Sequence, residues 1–331
     1  MRDFPASVAR TLLSWSPLGR HQRLSILIYH RVMKERDWMR PAEPTVVEFS
    51  WQMRLLQRYF NVLPLSEATQ LLKSGDLPPR AVCVTFDDGY ADNASVAQPV
   101  LERYGIPATV FVAAGYLDGG CMWNDKIVES LRHFRSSEVD FSSLGLPAYR
   151  TATLAFRRQA AYDIIARCKY LETGQREELA EAIAGHSNDR VDDLMMTTEQ
   201  LQTLHRQGIE IGGHTFSHPI LTSLPKDKAR EEIQRGKAEL ESIIGEPLRL
   251  FAYPNGRPET DYNQDHVALV KEAGFEAAVV TSWGVATPRS DPFQLPRFTP
   301  WDKSSNKFLL RMALNSRRVA PDLEETHADQ N

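Results

Sequence analysis

The sequence has little with which to staple an extracellular scaffold, cross a bilayer or grip nucleic acid. Its 331 residues include three cysteines, Cys83, Cys121 and Cys168, an odd number with no close pair. They read as buried or free thiols, which suits a reducing compartment and makes a cytoplasmic location the expectation. No apolar run approaches the length that spans a bilayer. Residues 1–23 carry Val8, Leu12, Leu13 and Trp15, but Arg10, Ser14 and Pro17 interrupt them. This extension lacks the unbroken apolar core and small-residue cleavage site of a secretory signal, and reads as a segment packed on the domain, peripheral contact with a membrane being the other option. A net charge of −4 gives no footprint for nucleic acid. Neither common type of nucleotide-binding glycine loop is there, nor the Gly-x-Ser-x-Gly turn that presents a hydrolase serine.

What is there is an ordinary globular composition, 42% hydrophobic and 25% charged, in which strands alternate with helices. Leu24 to Tyr29 reads as a buried strand. Thr45 with Glu48 is a capping box, opening a helix whose apolar face is Phe49, Met53, Leu56 and Phe60. A short strand at Val62-Leu63 leads to Ser66, the expected cap of a helix ending at Gly75. Val82 to Phe86 and Ile106 to Val112 are further strands. From about 117 to 196 the alternation lapses into helical patterns, the sign of an insertion over one face. It resumes with a Thr197–Gln200 capping box, strands at Ile209–Ile211, Leu248–Phe251, Ala277–Val280 and Phe293–Leu295, and a long helix ending at Gly245. Repeated alternation implies an α/β fold with a parallel sheet or barrel. The domain proper then covers 24–312, and 313–331 is a polar tail expected to be disordered.

Chemistry gathers at the ends of these strands. Val82-Cys83-Val84-Thr85-Phe86-Asp87-Asp88-Gly89-Tyr90 runs an apolar strand directly into two carboxylates. Adjacent like charges at a buried strand end repel and lose solvation, which a bound cation or a retained proton relieves; the plainer alternative is a helix cap. His30, His214 with His218, Pro254 and Arg297 also each follow a strand, and in parallel barrels that end carries the active site. Two histidines and a carboxylate are a borderline-metal set suited to zinc, with a position open for water. Trp123-Asn124-Asp125, at the start of the insertion, could line a groove; a buried structural Trp is the alternative.

Thr85-Phe86-Asp87-Asp88-Gly89 and His214-Thr215-Phe216-Ser217-His218 resemble the first two motifs of the polysaccharide deacetylase (NodB-homology) family. The resemblance runs from about Leu24 to Trp301 and includes Ile106-Pro107-Ala108-Thr109, Glu210-Ile211-Gly212 and Phe251-Ala252-Tyr253-Pro254. It implies a distorted (β/α) barrel with fewer than eight repeats and a divalent metal, zinc above all, with cobalt or nickel as options. It implies an acetylated glycan as substrate, with Asp88, His214 and His218 as metal ligands and Asp87 as general base. The backbone N–H of Asn255 would stabilise the oxyanion. The Leu-x-His that carries the general acid in much of the family has no match near the C-terminus, whereas Ile28-Tyr29-His30-Arg31-Val32 resembles the N-terminal version in poly-N-acetylglucosamine deacetylases, which assigns that role to His30. The chain departs from the pattern at Ala252, where the family often has an arginine that orients the base. Arg297 is the expected replacement, on its strand-end position alone. Two readings from other classes are a catalytically silent glycan-binding protein on the same barrel and a non-haem iron oxygenase, although the second aspartate has no obvious task in the latter.

Overall fold

Strand β1 (Leu24–Tyr29) is buried along its whole length and shows how the barrel is built. In this computed structural model, which describes residues 22–187 and 194–318, β1 pairs in parallel with β3 (Ala81–Phe86), from Leu24–Ala81 to Tyr29–Phe86. The sheet continues through β4 (Thr109–Val112), β7 (Glu210–Gly213), β8 (Leu250–Ala252), β9 (Ala277–Val280) and β10 (Leu295–Pro296), every pairing parallel. It closes just beyond β10: the Phe298 N–H donates to Ile26 O at 3.1 Å, and the Phe298 carbonyl accepts from Ile28 N at 3.1 Å. Seven strands form this ring, with the two-residue β2 (Asn61–Val62) beside β3. The fold is therefore a distorted (β/α) barrel with fewer than eight repeats.

Alternation along the strands sorts their side chains into two cores. Ile26, Cys83, Phe111, Leu250, Val279 and Leu295 form the barrel interior. Leu27, Val84, Val110, Ile211, Phe251 and Val280 face outward. Over them lie helices such as α1 (Val46–Tyr59), α7 (Thr198–Arg206), α8 (Lys226–Ile244) and α9 (Gln264–Glu272). The same two-residue period that buries Cys83 inside the barrel carries Thr85 and Asp87 up its inner wall, and that of Leu295 carries Arg297. The hydrophobic pattern thus aims the polar residues as well.

Both expected capping boxes form, Thr45–Glu48 opening α1 and Thr197–Gln200 opening α7. The expected Ser66 cap does not. Helix α2 (Leu65–Ser74) has Pro64 at its cap position, two residues earlier, and the Glu210 carboxylate, brought by β7, accepts from Leu65 N at 2.8 Å and Ser66 N at 3.3 Å. A full negative charge satisfies these first N–H groups and the helix dipole better than a hydroxyl does. Glu210 also accepts from Thr109 Oγ1 at 2.7 Å, while Leu65, Ala68 and Leu72 join the interior cluster. Helix α2 therefore plugs the barrel end away from the mouth.

The insertion contains α4 (Trp123–Arg132), α5 (Leu154–Cys168) and α6 (Thr173–Ala184) around a core of its own. It also holds a short antiparallel pair, β5 (Glu138–Asp140) and β6 (Ala148–Arg150), too brief to leave a periodic signal. Its far end returns to the Asp-Asp-Gly turn, where Met196 N donates to Gly89 O at 3.0 Å and Ala91 N to Leu194 O at 2.9 Å. Residues 1–21 of the N-terminal extension and 319–331 of the polar tail lie outside the described residues. Helix α10 (Ser305–Asn315) runs past the expected boundary at 312. Arg23 Nη1 then reaches Ser316 O at 2.8 Å, joining the two ends of the described chain. Among the described residues no helix is long and apolar enough to cross a membrane. The three cysteines are buried and free.

Candidate metal and catalytic site

One cleft at the mouth of the barrel, with a cavity of about 300 Å³, collects residues from the strand ends: His30 after β1, Asp87 and Asp88 after β3, His214 after β7, Asn255 beyond β8 and Thr281 after β9. Asp88 Oδ1 lies 3.4 Å from His214 Nε2 and 3.3 Å from His218 Nε2. The ligand-type atoms of this trio are all within 4.8 Å of one another. His214 Nδ1 sits 2.7 Å from Ala252 O. That nitrogen therefore carries the proton, and Nε2 turns its lone pair toward Asp88, as in a metal-binding imidazole whose other nitrogen is fixed by a carbonyl. Burial pushes His218 down to about 3 against the pull of Asp88, with His214 and Arg176 adding to the fall, so its ring is neutral. Burial raises the Asp88 carboxyl, but the imidazoles of His214, His218 and His30 around it outweigh burial and hold it well below the usual carboxylate range, so it is ionised. Lone pairs thus converge with no proton left to share, a set that a divalent cation satisfies. The donor set fits such an ion.

The backbone here is held in sparsely populated conformations. Asp88 (φ 75°), Thr215 (65°), His218 (53°) and Asn255 (58°) are all left-handed, a clustering that needs support from neighbours. Helix α8 supplies it for the histidine loop. Glu232 accepts from Phe216 N at 3.1 Å and from Ser217 N at 2.7 Å, and its other oxygen accepts from Ser217 Oγ at 2.8 Å. One turn further on, a Cβ at Gly236 would lie 2.5 Å from Thr215 O and 2.6 Å from its carbonyl carbon. That partner is backbone and cannot swing aside. Gly236→Ala is therefore expected to destabilise the fold by roughly 1–3 kcal/mol, as overpacking does, and to weaken metal uptake by displacing the histidine loop. Thermal melts and zinc titration check both.

Asp87 belongs to a different set. Arg297, fully buried, grips it with two parallel bonds, Nη1–Oδ1 at 2.6 Å and Nη2–Oδ2 at 2.7 Å. Nη1 also reaches Thr85 Oγ1 at 3.2 Å, and that hydroxyl donates to Leu27 O at 2.8 Å. Burial raises the Asp87 carboxyl, yet the charge of Arg297 and its paired bonds, with the His214 and His30 imidazoles beyond, together hold it below its ordinary value. The strand-end position of Arg297 is thus matched by contact, and Ala252 offers the site its carbonyl rather than a side chain. His30 shares the cleft with Glu43. Burial lowers its pKa, but Asp88, Asp87 and Glu43 raise it more than Arg297 opposes, leaving it above the ordinary value. The His30 carbonyl accepts from Asn93 Nδ2 at 2.9 Å.

Asn255 lines the cleft, and among the described residues its N–H has no backbone acceptor. The Trp123 expectation resolves to its alternative. The indole packs in the insertion core with the Arg176 guanidinium 4.8 Å from the ring centroid, while Asn124 and Asp125 line the cleft. Thr85, Glu43, Glu232 and Gly236 did not stand out in the sequence. A glycine inside a helix of strong formers, Glu231 to Glu241, was the one available signal, since it marks close backbone approach.

The profile of a family described as polysaccharide deacetylase matches residues 74–164 and 166–278. YxkH of Bacillus subtilis, named for the same family, is 21% identical over 285 residues, covering 86% of this chain and 74% of its own. Among solved structures, the Streptococcus pyogenes deacetylase PplD, in complex with acetate, superposes with a TM-score of 0.59 at 19% identity, over 88% of this chain and 99% of its own. IcaB from Ammonifex degensii gives 0.58 at 20% identity, over 90% and 98%. At such identities these structures bear on the fold.

Proposed function

The chain belongs to the polysaccharide deacetylase family, hydrolases acting on carbon–nitrogen bonds, and from that premise we propose that it removes N-acetyl groups from the sugars of an acetylated glycan. The observation that carries this reading is the division of labour at one cleft. Asp88, His214 and His218 converge on one another, while Asp87 is held apart from them by Arg297. A divalent metal, zinc before cobalt or nickel, would be held by Asp88, His214 and His218, and would supply an acidified water and polarise the acetamide carbonyl.

The side chains divide the remaining work. Arg297 occupies two of the roughly four lone-pair sites of the Asp87 carboxylate, so others remain to take the proton of the attacking water. As the new C–O bond forms, the former carbonyl oxygen gains charge, and the Asn255 N–H donates to it. The C–N bond breaks only as nitrogen gains a proton, since an amide anion is a very poor leaving group. His30 supplies that proton, so acetate departs and the free amine remains. Imidazolium must be present for this step. Because its neighbours raise His30 above its ordinary value, activity should persist above that value and fall only as pH rises through the raised one.

His30→Ala is expected to slow acetamide hydrolysis by about 10²–10⁴-fold and an activated aryl acetate by far less, because a phenolate leaves without help. Equal losses on both substrates would remove His30 from this role. The function itself is tested by acetate release from acetylated glycans and lipid-linked sugars, with the purified protein loaded with zinc, cobalt or nickel and then stripped by a chelator. Binding of glycan without metal-dependent acetate release would favour the silent reading.

A further inference from the structure

The cleft at the barrel mouth is bounded by more than strand ends. One side is built by the insertion, through Asn124 and Val128 of α4 and Tyr162 and Ile165 of α5, and the loop after β1 adds Arg40 and Ala42. These two segments are locked to each other. Arg40 Nη2 bonds Asp125 Oδ1 at 2.6 Å, and its other nitrogen pairs with Glu129. Arg132 grips Asp37 with bonds of 2.9 and 2.6 Å and reaches Glu129 at 2.6 Å. Tyr162 donates to Met39 O at 3.0 Å, and Arg158 to Trp38 O at 2.9 Å. Asp125 also accepts from the Tyr90 hydroxyl at 2.8 Å, which fastens the assembly to the Asp-Asp-Gly turn. The Asp37, Arg40, Asp125 and Glu129 side chains are 12% exposed or less. Buried paired charges of this kind hold one geometry, because separating them strands a charge away from water.

We infer that the insertion and the β1 loop form a fixed end wall, and that the enzyme takes a neutral N-acetylated sugar at a chain end rather than one inside a polymer. This rests on the deacetylase reading and narrows its substrate. The cavity, about 300 Å³, stands at the bottom of the range of ligand pockets, roughly 300–1,000 Å³. With the acetamide of a sugar ring at the Asp88–His218 end, Val128, Tyr162 and Ile165 stand where a further unit on that side would lie. The two arginines lining the cavity are already paired, Arg31 with Asp92 at 2.7 Å and Arg40 with Asp125. The charge of each is thus compensated by a carboxylate of the protein, which leaves no net arginine charge to hold a phosphate or carboxylate on the bound sugar, hence a neutral one. The wall's apolar side chains beside one amide, Asn124, suit a ring with both a C–H face and hydroxyls.

The test uses the full chain loaded with zinc and two probe series, N-acetylglucosamine oligomers of one to six units and a matching N-acetylgalactosamine series. Acetate is measured, and the free amine is located by fragmentation mass spectrometry. The expected amine sits on a terminal residue only, and kcat/KM differs by less than about threefold between dimer and hexamer. Amines at interior residues, or kcat/KM climbing about tenfold or more with length, would overturn the wall and leave the deacetylase reading standing. No acetate from any member of either series would overturn both. Tyr162 is 46% exposed, so Tyr162→Ala can be made without emptying a core. It should raise the hexamer-to-dimer ratio of kcat/KM by about fivefold and bring interior deacetylation into view. An unchanged ratio and product pattern in this variant, with an unchanged melting temperature, would also overturn the wall.

Discussion

Replacing Asp87 by Asn should cut acetate release by about 10²–10⁴-fold, the range for losing a general base, while the protein still takes up its divalent ion. The separation follows from the geometry. Asp88, His214 and His218 converge without help from Asp87, whose two oxygens face Arg297 instead. An amide cannot accept the proton of the attacking water, yet it fills the same space. The substitution also removes a negative charge from beside a fully buried guanidinium. Stranding one partner of a buried ion pair costs about 3–5 kcal/mol, of which the Asn carbonyl recovers part by accepting one Arg297 hydrogen bond. The variant should therefore melt earlier and must be assayed well below its new midpoint. Metal content, thermal midpoint and single-turnover acetate release together identify the effect. A folded, metal-loaded Asp87→Asn protein with unchanged turnover would end the assignment of Asp87 as base.

What could be read from the sequence, and what could not, divides along the range of the interactions. Strands β1, β3 and β9 are mostly apolar runs followed at once by polar residues, so both the barrel and the mouth were legible from local pattern. The Asp-Asp-Gly and His-x-x-x-His motifs stood on those ends and came with them. Arg297 was legible only as a position, because nothing in Leu295-Pro296-Arg297 says that its partner lies 210 residues earlier. Thr85 passed as one more β-branched strand residue, although it braces that arginine. Ser66 has the chemistry of a cap, and lost the position to a carboxylate delivered by another strand. The Asp37–Arg132 and Arg40–Asp125 pairs have no periodic signature, since each joins a loop to a helix about ninety residues away. Side-chain contacts between distant elements, rather than the elements themselves, were the hidden part.

Arg297→Met tests that hidden part most severely. Methionine matches the long unbranched stem, and Phe111, whose ring centroid is 5.5 Å from the guanidinium carbon, can pack against it. What disappears is the pair of bonds that keeps a buried carboxylate charged. In the native protein burial pushes Asp87 up and Arg297 pulls it below its ordinary 3.8. A carboxyl so depressed adds stability above its unfolded-state value, and that stability is lost as pH falls through the folded one. Without Arg297 the direction reverses: burial dominates, the folded value rises above 3.8, and an uncompensated carboxylate opposes folding at neutral pH. The variant should thus lose about 3–5 kcal/mol at neutral pH and recover part of the deficit as acid protonates Asp87, the opposite of the native trend. The acid limb of the rate profile should move to higher pH in step, because a protonated base accepts nothing from water. Arg297→Lys keeps a charge but not the two-pronged grip, so it should restore part of that limb and less of the orientation. Melting curves and kcat/KM profiles across the acid range decide the matter. A limb that stays put in Arg297→Met while stability falls would leave Arg297 a structural residue, with something else tuning the base.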